Sequence, residues 1–344
     1  MGTLQIALAV AGGVVLAAVV AHSAWSSGRM APRQPLRPHS DDEPEVGPAE
    51  EPGLRPDPFG PDQFPLPAPE RKAGIDALID VIAPIALEGL VSGEAALAAS
   101  PATRRVGSKP FSIEGMNAVD GRWETPAAGQ RYSAFQAAVQ LANRSGALNE
   151  IEYSEFVVKA QAFCDAVNAT PDFPEMLEEV ARARELDIFA SAHDAQLGFT
   201  LRARSAAWSP GYVQQHASRL GFVAGVLPGR MVMAASRDGM PPVLSLAFDS
   251  QAALAEDPTQ AAIRSLTLAL DVAQVERHEQ PFERMCAAAT ALAQVMDGAV
   301  TDDNGQLLSV EAMADIGSEI EALYDTLEER ELAAGSALAR RLFS

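Results

Sequence analysis

The chain has 344 residues, 48% of them hydrophobic and 21% charged, with a formal charge of −20. That length holds a tail and two modest domains, and the acidic balance excludes a nucleic-acid binder, which needs clustered Lys and Arg to neutralise phosphates. Cys164 and Cys286 are too few for a disulfide framework; both read as buried, reduced thiols within apolar helical patterns, which favours a cytosolic setting for the folded part.

The first feature along the chain is "LQIALAVAGGVVLAAVVAHSAW", Leu4 to Trp25, with no charged residue. About 20 apolar residues cross a bilayer core, so residues 1–29 read as a transmembrane anchor. A cleaved signal peptide carries Lys or Arg before its apolar run, and "MGT" carries none. The first positive charges, Arg29, Arg33 and Arg37, follow the span. The positive-inside rule then leaves the N-terminus in the periplasm and everything downstream in the cytoplasm, with Trp25 at the interface.

Residues 30–73 form a Pro-rich, acidic segment. Ala31 to Pro69 hold twelve of the 24 prolines, with runs such as "DDEPEVGPAEEP". Such a composition buries too little apolar surface to offset its ordering entropy and reads as a disordered linker. Fully extended at ~3.1 Å per residue it reaches on the order of 120 Å, a tether that sets a domain well away from its anchor.

The remainder reads as two α+β domains, residues 74–192 and 193–330, followed by a tail at 331–344. In the first, "RYSAFQAAVQLAN" (Arg131–Asn143) alternates as a strand and precedes the helical "EYSEFVVKAQAFCDAV" and "PEMLEEVARAREL". The order recurs roughly 130 residues later as "IRSLTLALDVA", "QPFERMCAAATALAQVM" and "SVEAMADIGSEIEALYDTLEE", a faint internal duplication.

In the second domain, "LGFTLRAR" (Leu197–Arg204) sets Phe199, Leu201 and Ala203 on one face and Thr200, Arg202 and Arg204 on the other. "SPGYVQQHASRLGF" opens with a cap at Ser209 and a proline in the first turn, both helix-start signals. "RMVMAAS" (Arg230–Ser236) and "PVLSLAFDS" (Pro242–Ser250) flank "RDGMP", a hairpin turn. Leu244, Leu246 and Phe248 oppose Val243, Ser245, Ala247 and Asp249; Leu266, Leu268 and Leu270 oppose Ser265, Thr267, Ala269 and Asp271. "AVTDDNGQLL" (Ala299–Leu308) lacks the alternate-position oxygens and closing Glu of a calcium loop, and reads as a hairpin turn. In the last helix Met313, Ile316, Ile320, Leu323 and Leu327 form one apolar stripe. The outcome is an antiparallel sheet covered by helices on one face, with a second face of small and polar residues left open.

No constellation supports catalysis or a metal or cofactor site. His22, His39, His193, His216 and His278 are scattered, without helix-spaced partners or a nearby cysteine. "GVLPGR" lacks the Lys-Ser/Thr of a phosphate loop and precedes a strand. Paired acids such as Glu178–Glu179 and Glu328–Glu329 fall on solvated helix faces. Trp208 reads as packing in a loop, and Trp123 as core or strand edge.

The layout of span, Pro-rich linker and C-terminal α+β domain resembles ZipA, the family of membrane-anchored cell-division proteins that bind FtsZ. The matching residues are "LGF" (Leu220–Phe222), "SRDGMPPVLSLA" (Ser236–Ala247), "LTLALDV" (Leu266–Val272) and "GAVTDDNGQLLSVEAM" (Gly298–Met313). Residues 74–192 look like a second copy that family members lack. The resemblance implies two related split β-α-β domains and a single-pass inner-membrane protein at the division site, whose open sheet face takes the C-terminal peptide of FtsZ. It implies no enzyme activity, no cofactor and no small-molecule substrate.

Carried over strand by strand, the groove falls at Thr200 and Arg202, with Gly198 nearby; at Arg230 and Val232; at Ala247 and Asp249; and at Thr267 and Ala269. Asp249 and Ala269 stand where Met-like and Phe-like anchors are expected. Either Arg202, Arg204 and Arg230 give a more electrostatic recognition of an acidic tail, or the added domain has taken over part of the docking.

Overall fold

In the computed structural model the described residues are 74–255, 261–302 and 304–344; the expected span Leu4–Trp25 and the Pro-rich segment 30–73 lie outside them. Among the described residues no helix is long and apolar enough to cross a membrane. The architecture is α+β with antiparallel sheets, divided into two compact units. The upstream unit holds residues 74–195 with Asp271–His278 and Ser318–Ser344, and the downstream unit holds Gln196–Leu270 and Glu279–Gly317.

The upstream unit is built on β1 (Asp80–Ser92), α1 (Gly93–Ala99), β2 (Arg105–Val106), β3 (Lys109–Asn117), β4 (Trp123–Glu124), β5 (Arg131–Gln140), β6 (Ala142–Asn143), β7 (Gly146–Ala147), α2 (Glu150–Val167), β8 (Ala169–Pro171) and α3 (Met176–His193). Its main sheet runs β2-β3-β5-β1-β8, with β4 beside β3. Pro84 lies inside β1 on the β8 side, where its carbonyl still accepts from the Asp172 N–H at 2.8 Å; β8 ends at the pair Ile85↔Pro171, because the return bond would need the N–H that proline lacks. Val81, Ala83 and Ile85 share the buried face with Phe111, Ile113, Phe135, Ala137 and Val139. The helix α2 lays Tyr153, Phe156, Ala160 and Phe163 on that core, and the Phe135 and Phe163 rings meet edge to face at 5.1 Å. Gly115 is required on this face: a Cβ there would lie 2.4 Å from the Tyr132 ring. An Asn149–Glu152 capping box starts α2.

The downstream unit is built on β9 (Gln196–Ala203), α4 (Pro210–Ser218), β10 (Phe222–Ala224), β11 (Arg230–Met233), β12 (Leu244–Phe248), α5 (Ser250–Leu254), β13 (Ser265–Asp271), α6 (Pro281–Met296), β14 (Gly298–Thr301) and the start of α7 (Val310–Glu329). The sheet order is β10-β11-β12-β13-β9-β14. The expected alternation is what is seen: Phe199, Leu201, Leu244, Leu246, Phe248, Leu266, Leu268 and Leu270 are buried on one face. Against them pack Tyr212 and Val213 from α4 and Phe282, Met285 and Leu292 from α6, with Phe199 and Phe282 at 6.1 Å. Ser209 caps α4 through the Tyr212 N–H. Trp208 is fully buried and donates from Nε1 to the Met296 carbonyl at 2.7 Å, so it packs rather than anchors a partner.

Asp302, Gly305 and Gln306 make a tight turn, as the composition implied. The Asp302 N–H meets the Gln306 carbonyl and the Gly305 N–H meets the Asp302 carbonyl, with Gly305 at φ 81°. Thr301 and Leu307 close it as a bridge.

Two features depart from the sequence reading. The segment 331–344 is no loose tail, because α8 (Ala337–Leu342) buries Leu342 and Phe343 in the upstream unit. Its Arg341 pairs with Asp80 at 2.5 Å, and its Arg341 carbonyl accepts from Gln140. Asp80 and Gln140 are register partners on the sheet face opposite the helical core, so helices do not keep to one face of that sheet. The second feature is α7, whose Ile320, Tyr324 and Leu327 lie in the upstream unit. Arg277 holds that half of α7, donating to Glu321 and Asp325 with the Tyr324 ring 5.7 Å away.

Candidate partner-binding face

Seven of the eight candidate positions lie on the downstream sheet face opposite the helical core, and the strand registers set them in rows. Arg230 faces Ala247, and Ala247 faces Thr267. The Ala203 N–H bonds the Arg264 carbonyl, an antiparallel register that carries the row on to Thr200, which faces Thr301. A second row runs Val223, Val232, Ser245 and Ala269. Thr200, Val232, Ala247, Thr267 and Ala269 are half-buried, and Arg202 and Arg230 are exposed. Among the described residues none of these seven positions is fully buried, and apart from Val232 their side chains are small or polar, as suits a sheet face without a helical layer on it.

Asp249 is the exception. It lies one residue past β12, and its carboxylate accepts from the Gln251 N–H at 2.8 Å as the cap of α5. A side chain committed to its own backbone contributes no apolar area to a groove.

Among the described residues no ion pair engages Arg202, Arg204 or Arg230. Gly305 comes up beside Arg202, where a Cβ on it would lie 3.6 Å from the guanidinium Nη2. The face therefore carries positive charge on an acidic chain. Its apolar part lies at the β10 edge, which the residue-by-residue carry-over missed: Val223 is 55% exposed and Leu227 59%, with Val226 fully so. The signal was present in "FVAGVLPGR", where two bulky residues sit between glycines in a turn.

The loop between β11 and β12 is held from beneath. Buried Glu279 accepts from the Ser236 N–H at 2.7 Å and from Arg284 at 2.8 Å. Such charge-assisted bonds order the loop beside the face without occupying the face. Among the described residues no group of three His, Cys, Asp or Glu side chains could hold a metal ion.

A family profile described as ZipA, C-terminal FtsZ-binding domain, matches residues 247–319. It spans Ala247, Asp249, Thr267 and Ala269 and leaves Thr200, Arg202, Arg230 and Val232 outside. Comparison with curated proteins finds no match. The matched family is a non-enzymatic adaptor, in agreement with the lack of a catalytic constellation in the sequence. From the end of β12 through β13, α6 and β14 into α7, the chain is similar to the C-terminal domain of the ZipA family.

Proposed function

We propose that the chain is a cell-division adaptor that binds the C-terminal peptide of FtsZ on an open sheet face and holds FtsZ polymers at the cytoplasmic side of the inner membrane. The observation that carries this is the coincidence of two things in one sheet. The family match covers β13 and β14, and the neighbouring strands β9 and β11 of that sheet bring Arg202 and Arg230, which no ion pair engages among the described residues, onto the same open face. Thr200, Arg202, Arg230, Val232, Ala247, Thr267 and Ala269 form the docking surface, with Arg202 and Arg230 drawing an acidic tail. Leu4–Trp25 supplies the single span and residues 30–73 the reach.

Asp249 as a helix cap favours one alternative, a membrane-tethered scaffold for a different division or envelope protein, since a groove short of large anchors suits another ligand. The experiment is binding of the full chain in nanodiscs to FtsZ and to FtsZ lacking its C-terminal peptide. The adaptor reading expects binding that needs the peptide, weakens with salt, and drops about tenfold in Arg202→Glu with Arg230→Glu. Peptide-independent binding, or none at low salt, leaves only the scaffold.

A further inference from the structure

We infer that the upstream sheet carries a second docking face for the same acidic peptide, and that this face holds the bulky anchors the downstream sheet lacks. The inference rests on the FtsZ reading above for the identity of the peptide, and on the upstream unit alone for the site.

The two units share a strand order. Upstream it is β3-β5-β1-β8 and downstream β12-β13-β9-β14. The helix α2 starts ten residues past the end of β5, and α6 starts ten residues past the end of β13. Aligning Gln140 with Asp271 sets Gln136 against Thr267, and the registers then set Glu114 against Ala247 and Met116 against Asp249. Where the downstream sheet spends an aspartate on a helix cap, the upstream sheet has a methionine.

Met116 does not stand alone. Its register partner on one side is Trp123, and on the other Ala134, which faces Ala86. All four lie on the side away from the helical core. Trp123 is 41% exposed and Leu90, on the β1 bulge, 58%. A tryptophan and a methionine half-exposed in one row, with alanines beside them, give the depth and area of an anchor site.

The rest of that face says what kind of peptide fits. A groove of about 700 Å³ opens over Ser112 and Glu114, beside Thr125 and Pro126 just past β4, and Arg104, Arg340 and Arg341 also line it. The carboxylates here are engaged: Glu114 accepts from the Ile75 N–H and from Gln136, and Glu124 from Asn117 and Tyr132. Arg104 and Arg131 have no ion pair among the described residues. Free positive charge beside apolar anchors fits an acidic peptide with bulky side chains. With a docking face on each sheet, one chain takes two tails of an FtsZ polymer, and weak single contacts add up through effective concentration.

The test is calorimetric titration of a synthetic FtsZ C-terminal peptide into the full chain in nanodiscs. Two sites are expected, with one lost in Trp123→Ser with Met116→Asp and the other in Arg202→Glu with Arg230→Glu. Arg104→Glu, an exposed change outside the strands, reads the upstream face even if the double variant folds poorly; it should weaken that site about threefold or more. A single site that survives both upstream changes and vanishes with the downstream pair overturns the second face and leaves the FtsZ reading standing. A wild-type chain that takes no peptide overturns the FtsZ reading itself, and this face with it.

Discussion

Asn168 and Asp297 hold the same backbone conformation at the same place in the two units. With φ of 54° and 53°, each ends the long helix that follows its sheet's β5 or β13 strand, and each turns the chain into a short strand, β8 or β14. Left-handed backbone is strained for most side chains and tolerable for Asn and Asp. Changing either to Val should cost about 1–2 kcal/mol, while Asn168→Gly should stay within about 0.5 kcal/mol of wild type. Urea melts of the single variants check both.

Asp249→Met should separate two effects. Loss of the carboxylate that accepts from Gln251 should lower stability by about 1 kcal/mol. The same change adds apolar area at the end of β12 and should raise affinity for the FtsZ peptide. Melts and peptide titration on one variant read the two with opposite sign.

Burial pushes the Cys164 and Cys286 thiols up to about 11. Since the thiolate is the reactive form, neither should react appreciably with a disulfide reagent at pH 8 in the folded chain. Denaturant should release both, and a thiol count before and after unfolding is the measurement.

His216 is buried, and its Nε2 has no hydrogen-bond partner among the described residues. Burial, then Arg219, lowers its pKa below the usual histidine value. The unfolded chain therefore takes up the proton more readily, so this stability is present above the unfolded pKa near 6.5 and lost as pH falls through the folded value. The melting temperature should drop from pH 7 to pH 5, by less in His216→Leu, as pH-dependent melts of the pair will show.

The Asp80 carboxylate is almost fully covered, and Arg341 meets it at 2.5 Å. Arg341→Ala leaves that carboxylate without its cation and should cost about 3 kcal/mol or more. Asp80→Asn with Arg341→Met should recover much of the loss, and a double-mutant cycle in urea measures the coupling.

Period-two alternation made the downstream strands legible, because in Leu244–Phe248 and Leu266–Leu270 every second residue is buried. The first upstream strand, Asp80–Ser92, hid behind Pro84 and Gly89, which mark breaks in most sequences; Pro84 keeps its place by accepting from the Asp172 N–H at the end of β8, a long-range fact. Asp249 read as a face residue because one more step of alternation puts it there, and only the start of α5 claims its side chain. The role of 331–344 was invisible locally: "ALARRLF" is a plausible loose end until Asp80, far off in sequence, supplies a buried partner for Arg341.

That partnership has a mechanical side. The Arg341 guanidinium also donates to the Gly74 carbonyl, so the first described residue and the last helix are fastened to one another before β1 begins. A pull arriving along the chain from upstream of Gly74 meets this clasp first. The strands behind it take strain only after the clasp yields, and single-molecule extension should show an early yielding event that Arg341→Ala removes.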